Sequence, residues 1–168
     1  MSEFSERQPE QNEYNFENGI KQAFSEIEKL LQAQEYVVVT ICGSSYDVGK
    51  TKLASRIMQE ISARRISWAW QSDTRSMMQK PNFTHQPETK GHVLVFGSEQ
   101  PAREHPMLNK QAQDERLAEK GKKFGLPLSK IDLRIYVYRP DKPFTSDELQ
   151  YADIVIRNDE AIDKPRRP

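Results

Sequence analysis

Residues 36–54 read YVVVTICGSSYDVGKTKLA, and three physical signals meet in them. Tyr36 to Cys42 is a continuous run rich in β-branched residues, too short for a buried helix and closed by Gly43. That is the pattern of a parallel strand covered on both faces. From Thr51 to Arg64, the residues Leu53, Ala54, Ile57, Met58 and Ile61 recur at helical spacing. Between strand and helix lies Gly43-Ser44-Ser45-Tyr46-Asp47-Val48-Gly49-Lys50-Thr51. Polyphosphate needs converging backbone N–H groups, a cation to offset its charge and a hydroxyl to help hold magnesium. This segment offers all three. Gly49 lets the backbone approach the phosphates, Lys50 is expected to reach the β and γ phosphates, and Thr51 is expected to ligate Mg2+. The dipole of the helix that opens there adds to the attraction. The expected cofactors are ATP and Mg2+.

Outward from this stretch, Ile20, Ala23, Phe24, Ile27, Leu30 and Leu31 mark one face of a helix from Phe16 to about Gln34. Further strands are predicted at 66–71, 92–96, 133–138 and 153–156, and a helix from Pro106 to Lys123. A last helical turn is expected from Ser146. Strands alternating with helices predict an α/β domain over 16–160, with a five-stranded parallel sheet and helices on both faces. Residues 1–15 are polar with few apolar anchors and read as a flexible tail, and 161–168 as a C-terminal tail. The connection Ser72–Gly91, about 20 residues without clear periodicity, is of a length that usually carries function.

The chain has 168 residues, a length that fits one domain. Its 25 basic and 25 acidic side chains give no broad basic field for nucleic acid or an anionic membrane. No apolar run approaches the roughly 20 residues of a membrane span, and a cytoplasmic location is expected. The lone Cys42 sits in an apolar run and reads as a small buried side chain. His85, His92 and His105 lack metal-ligand spacing. Trp68 and Trp70 lie two apart on a strand and read as one face of the sheet core. Lys120, Lys122 and Lys123 read as a solvated helix end, and Arg75, Arg103 and Arg116 as mostly surface arginines.

The loop is one residue longer than GxxxxGK(S/T), because Ser44 occupies the position of the first glycine and Gly43 precedes it. The longer form, with an acidic residue and valine before GKT as in Asp47-Val48, is similar to that of dethiobiotin synthetase. From Tyr36 to Asp159 the chain resembles the uridine kinase and phosphoribulokinase group of P-loop kinases. The segments that carry the resemblance are ICGSSYDVGKTKLA at 41–54, Asp73 after the second strand, NFTHQP at 82–87, VLVFG at 93–97, IDLRIYV at 131–137 and ADIVI at 152–156. The resemblance implies a P-loop NTPase three-layer sandwich with five parallel strands. It implies Asp73 as the base that accepts a substrate hydroxyl's proton, and His85 as a substrate contact. The chain departs from the group where Phe96 replaces a glutamate, with Glu99 the nearest acid. The substrate hairpin is reduced to Glu88–Gly91, and Arg139-Pro140-Asp141-Lys142-Pro143 stands where the group has an arginine-rich lid. Phosphoryl transfer depends on charge stabilisation around the γ-phosphate.

The expectation is an ATP-binding, kinase-like protein that transfers the γ-phosphoryl group to a small hydroxylated metabolite such as a nucleoside. Two alternatives stay open: a catalytically silent nucleotide-binding switch or scaffold, and an ATP-dependent ligase of the dethiobiotin synthetase type.

Overall fold

Tyr36–Gly43 is buried from Val37 to its end, so neither of its faces meets water. The computed structural model describes residues 13–43, 48–72, 79–84, 89–97, 106–142 and 150–159. In chain order the elements are β1 (Glu13–Tyr14), α1 (Phe16–Ala33), β2 (Tyr36–Gly43), α2 (Lys50–Ala63), β3 (Ser67–Ser72), β4 (His92–Gly97), α3 (Pro106–Phe124), β5 (Leu133–Tyr138) and β6 (Ile154–Arg157). All strand pairs are parallel, in the order β1-β6-β5-β2-β4-β3. The sheet thus has six strands where the sequence predicted five. The added strand, Glu13–Tyr14, falls within the stretch read as a tail and pairs with Val155 and Ile156. Two polar-flanked residues carry no period of their own. Pairing to β6, and the Tyr138 hydroxyl donating to Glu13 Oε2 at 3.0 Å, hold them. The expected turn at Ser146 lies outside the described residues.

Alternation along the strands sorts the core. Val37, Val39 and Ile41 of β2 face Ile20, Phe24 and Ile27 of α1 and Leu53, Ile57 and Ile61 of α2. Val38 faces the other way, with Leu94, Phe96, Leu117 and Leu128, and Cys42 joins Tyr136 and Val155. Helices therefore cover both faces, as the double-sided apolar run requires. Asp132 and Asp153 start the β2–β5 and β5–β6 registers. Asp132 Oδ2 accepts the Val38 N–H at 2.8 Å, and Asp153 Oδ2 accepts the Arg134 N–H at 2.7 Å. Each carboxylate takes the place of a strand carbonyl where the neighbouring strand begins.

Thr84, in the long connection after β3, lies along the sheet edge. Thr84 N–H donates to the Trp68 carbonyl at 2.8 Å, and Thr84 Oγ1 accepts the Trp68 N–H at 3.1 Å. These bonds cover part of the unpaired edge of β3.

Two sequence readings are corrected. Trp70 is not core: its side chain is 42% exposed, whereas Trp68 is half-buried and its indole N–H donates to Ser62 Oγ at 2.7 Å. The helix α2 runs from the carboxyl end of β2 to the amino end of β3, so it covers Trp68 and leaves Trp70 beyond it. Lys120 is not part of a solvated helix end; it is fully buried, while Lys122 and Lys123 are exposed. Gln113, Leu117 and Lys120 recur at helical spacing and form the sheet-facing stripe of α3, which hydropathy cannot find because two of the three are polar. Arg134 donates to Gln113 Oε1 at 3.1 Å. The Lys120 ammonium donates to the Gln79 carbonyl, which also accepts from Gln71 Nε2 at 3.1 Å.

Burial, and secondarily Lys123, push the Lys120 ammonium down to about 8 from 10.5. The unfolded chain then binds more protons than the folded chain between those values, so this group makes stability rise with pH there. Burial acts oppositely on Tyr138, pushed up to about 12, so its contribution is lost only above about pH 10. The unfolding free energy from urea melts is therefore expected to rise between pH 8 and 10, by at most about 1.4 kcal/mol per pH unit. Lys120→Met is expected to remove that slope, and an unchanged slope would show that Lys120 does not titrate as placed.

Candidate functional site

Because every strand pair is parallel, the strand carboxyl ends share one edge of the sheet. From β2 the chain passes to α2 on one face, and from neighbouring β4 to α3 on the other. Connections that part to opposite faces leave a crevice outside the strand ends, where open α/β sheets bind ligands. The Gly-Lys-Thr segment lies at this edge.

Gly43 ends β2, and a Cβ there would meet Val48 Cγ2 at 2.8 Å and Lys50 Cδ at 2.9 Å. The stem of Lys50 is thus folded back over the end of β2. Val48 is fully buried among the α1 and α2 core residues. Gly49 is the N-cap of α2 and has φ +106°, the left-handed region that glycine adopts without strain. Its carbonyl accepts the first helical bond, from Leu53 N–H at 2.9 Å. The N-cap has no side chain to satisfy the first N–H groups of α2, and the first turn carries no acid. Lys50 and Lys52 instead stand at the positive end of the helix dipole. Cations there oppose the dipole by about 0.3–1 kcal/mol each, and a bound anion reverses that balance. Thr51 is exposed in the same turn.

Sequence reasoning missed Asn158. It follows β6 and is buried, with its backbone N–H donating to the Tyr138 carbonyl at 2.8 Å. Its side-chain Nδ2 donates to the Val48 carbonyl at 2.9 Å. In a trans peptide the carbonyl and the following N–H point in opposite directions. Turning the Val48 carbonyl towards Asn158 therefore turns the Gly49 N–H away from it. A Cβ on Gly49 would meet Asn158 Nδ2 at 2.6 Å, so the close fit needs glycine as well as the left-handed backbone. A lone asparagine after an apolar strand gives no sequence signal for a contact 110 residues away.

Arg139 follows β5 beside this edge. It is buried, and its guanidinium makes two bonds to Asp141, at 3.0 and 3.3 Å, within the turn Arg139–Lys142. Hydrogen bonding to Arg139 holds the Asp141 carboxyl below its ordinary value. Phe96 is buried on the α3 face and does not project from the strand ends. Gly43, Val48, Gly49, Lys50 and Thr51 are thus brought together. Ser44, Ser45, Tyr46, Asp47, Asp73 and His85, with Glu99, Arg75, Arg103 and His105, lie outside the described residues. Arg116 is exposed on α3, and among the described residues no group of acidic, histidine or cysteine side chains has the arrangement of a metal site. No described helix is long and apolar enough to cross a membrane.

Asn158→Ala removes the partner of a buried carbonyl and is expected to cost about 1–3 kcal/mol of unfolding free energy in urea melts. A change within 0.5 kcal/mol would mean that water replaces the amide at no cost.

Compared with protein-family models, with curated proteins and with solved structures, the chain matches none.

Proposed function

We propose that the chain binds MgATP at the N-terminus of α2 and acts as a P-loop, kinase-like protein. One observation carries this reading: a helix start with no side-chain cap and no acid presents two lysines, while the Lys50 stem folds back over Gly43. That arrangement suits a polyphosphate. Gly43 and Gly49 each stand where a Cβ would collide, the first with Val48 and Lys50 and the second with Asn158, so the close packing of Lys50 and Asn158 on the backbone here needs glycine at both positions. The Thr51 hydroxyl, exposed one residue after Lys50, fits a magnesium ligand. Bound magnesium would neutralise charge on the β and γ phosphates. In this reading Asp73 accepts the proton of a small hydroxylated metabolite as the γ-phosphoryl group is transferred to it.

Two observations support a second reading, in which the protein binds nucleotide without turnover. Arg139, which follows β5, is already paired with Asp141. Phe96, at the position of the acidic residue in the resembling kinases, is buried against α3.

Calorimetric titration of MgATP is expected to show saturable binding to the wild-type protein, at least 100-fold weaker in Lys50→Ala. Absence of binding by wild-type protein, with GTP also tested, would overturn the proposal. ADP release that needs an added nucleoside or sugar and is lost in Asp73→Asn would support transfer. Binding without release across such a panel would favour the silent reading.

A further inference from the structure

At the sheet edge opposite the Gly-Lys-Thr segment, where β2 and β5 begin, a cavity of about 220 Å3 is lined by Glu35, Tyr36, Val38, Leu128, Lys130 and Asp132. We propose that it is a binding site for an α-amino acid with an apolar side chain, whose ammonium bonds to Asp132 and whose carboxylate pairs with Lys130. The proposal is independent of the nucleotide reading, because the two sites lie at opposite ends of β2 and share no residue.

The Asp132 carboxylate carries the argument. Its side chain is only 8% exposed. Oδ2 accepts the Val38 N–H at 2.8 Å, whereas Oδ1 accepts no hydrogen bond from any described residue; Lys130 Nζ stands 4.0 Å from it, beyond hydrogen-bond reach. An ionised oxygen largely withdrawn from water costs free energy until a donor reaches it. An ammonium supplies the opposite charge and its N–H donors together.

Charges at the rim complement a zwitterion. Lys130 is 67% exposed, and its one ion pair among the described residues is the 4.0 Å approach to Asp132, so its ammonium is open to an incoming carboxylate. Glu35 adds a second, exposed carboxylate, with Oε2 3.7 Å from His92 Nε2. Apolar walls lie between: Val38 and Leu128 are buried, and the Tyr36 ring is fixed by stacking on His92, with centroids 4.5 Å apart, and by an edge contact with Phe83 at 5.7 Å. The volume is below the roughly 300–1,000 Å3 of drug-sized sites and suits a molecule with the size of one amino acid.

The walls are built in advance. The turn from α3 to β5 folds back on Gly121, where a Cβ would meet the Leu126 carbonyl at 2.7 Å and the Leu128 carbonyl beside it. Asp114 Oδ1 accepts the Ile131 N–H at 2.8 Å, and the Asp132 N–H donates to the Val38 carbonyl at 2.8 Å. A site held in this way loses little freedom when a ligand enters.

The test is calorimetric titration of the full chain with L-leucine and with its two halves. Isoamylamine keeps the ammonium and the side chain without the carboxylate, and isocaproate keeps the carboxylate without the ammonium. Leucine is expected to bind saturably at millimolar concentration, and each analogue about tenfold or more weakly, the scale of one charged hydrogen bond. Asp132→Asn is expected to weaken leucine by about tenfold or more. Lys130→Ala alters only an exposed side chain; it is expected to keep the wild-type Tm, to weaken leucine about tenfold and to leave isoamylamine within about twofold. No saturable binding of leucine, valine or methionine at millimolar concentration would overturn the proposal. So would isoamylamine binding as tightly as leucine, or leucine affinity unchanged in Lys130→Ala. None of these outcomes bears on MgATP binding, which is titrated separately.

Discussion

The burial of β2 on both faces is the constraint from which the rest of the architecture follows. A strand with apolar side chains on both sides needs a covering layer on each, and parallel neighbours need crossovers long enough to supply one. The helices α1 and α2 cover one face and α3 the other, and α2 and α3 each lie in a crossover between parallel strands. Parallel crossovers then gather every strand's carboxyl end at one edge. The direction of the connections from β2 and β4 divides that edge into two sides. The Gly-Lys-Thr segment stands at the division, so its position is a consequence of the packing rather than a separate feature.

Polar side chains under the helices keep this edge in shape. Buried carbonyls and amides cost free energy unless they are paired. The Val48 carbonyl finds Asn158, the Gln79 carbonyl finds Lys120 and Gln71, and Arg134 finds Gln113. Gln71, Gln113 and Lys120 lie between the sheet and α3; Gln71 and Lys120 hold Gln79, in the connection after β3, to the sheet edge, and Gln113 holds Arg134 of β5. Asn158 acts on the opposite side, where it joins the loop before α2 to the end of β6. The two sides of the site are thus held by different polar contacts. Thr40 Oγ1, Gln71 Oε1 and His92 Nδ1 are buried with no partner among the described residues.

Much of the fold was legible in the sequence because its signals are periodic. The strands at Tyr36–Gly43 and Leu133–Tyr138 and the helices at Phe16–Ala33 and Lys50–Ala63 lie within one or two residues of the ends that apolar spacing predicts. The site was legible in part, because Gly-Lys-Thr after a strand and before a helix is a local pattern. What escaped has no local pattern. Glu13–Tyr14 is too short to show alternation. Trp70 shares its period with Trp68, but the path of α2 covers only one of them. Lys120 interrupts an apolar stripe with a charge, and its partner lies 41 residues away.

The sequence by itself determined the order of elements, the double-sided burial of the central strand and the candidate phosphate residues Gly49, Lys50 and Thr51. These depend on neighbours within a few positions, where side-chain type and spacing act directly. Only the tertiary structure decided the sixth strand, the inward turn of the Val48 carbonyl towards Asn158 and the cavity that sets Tyr36 beside Asp132. Each of these joins segments far apart in the chain, and their energies come from pairing and burial that exist only once the sheet has brought the segments together.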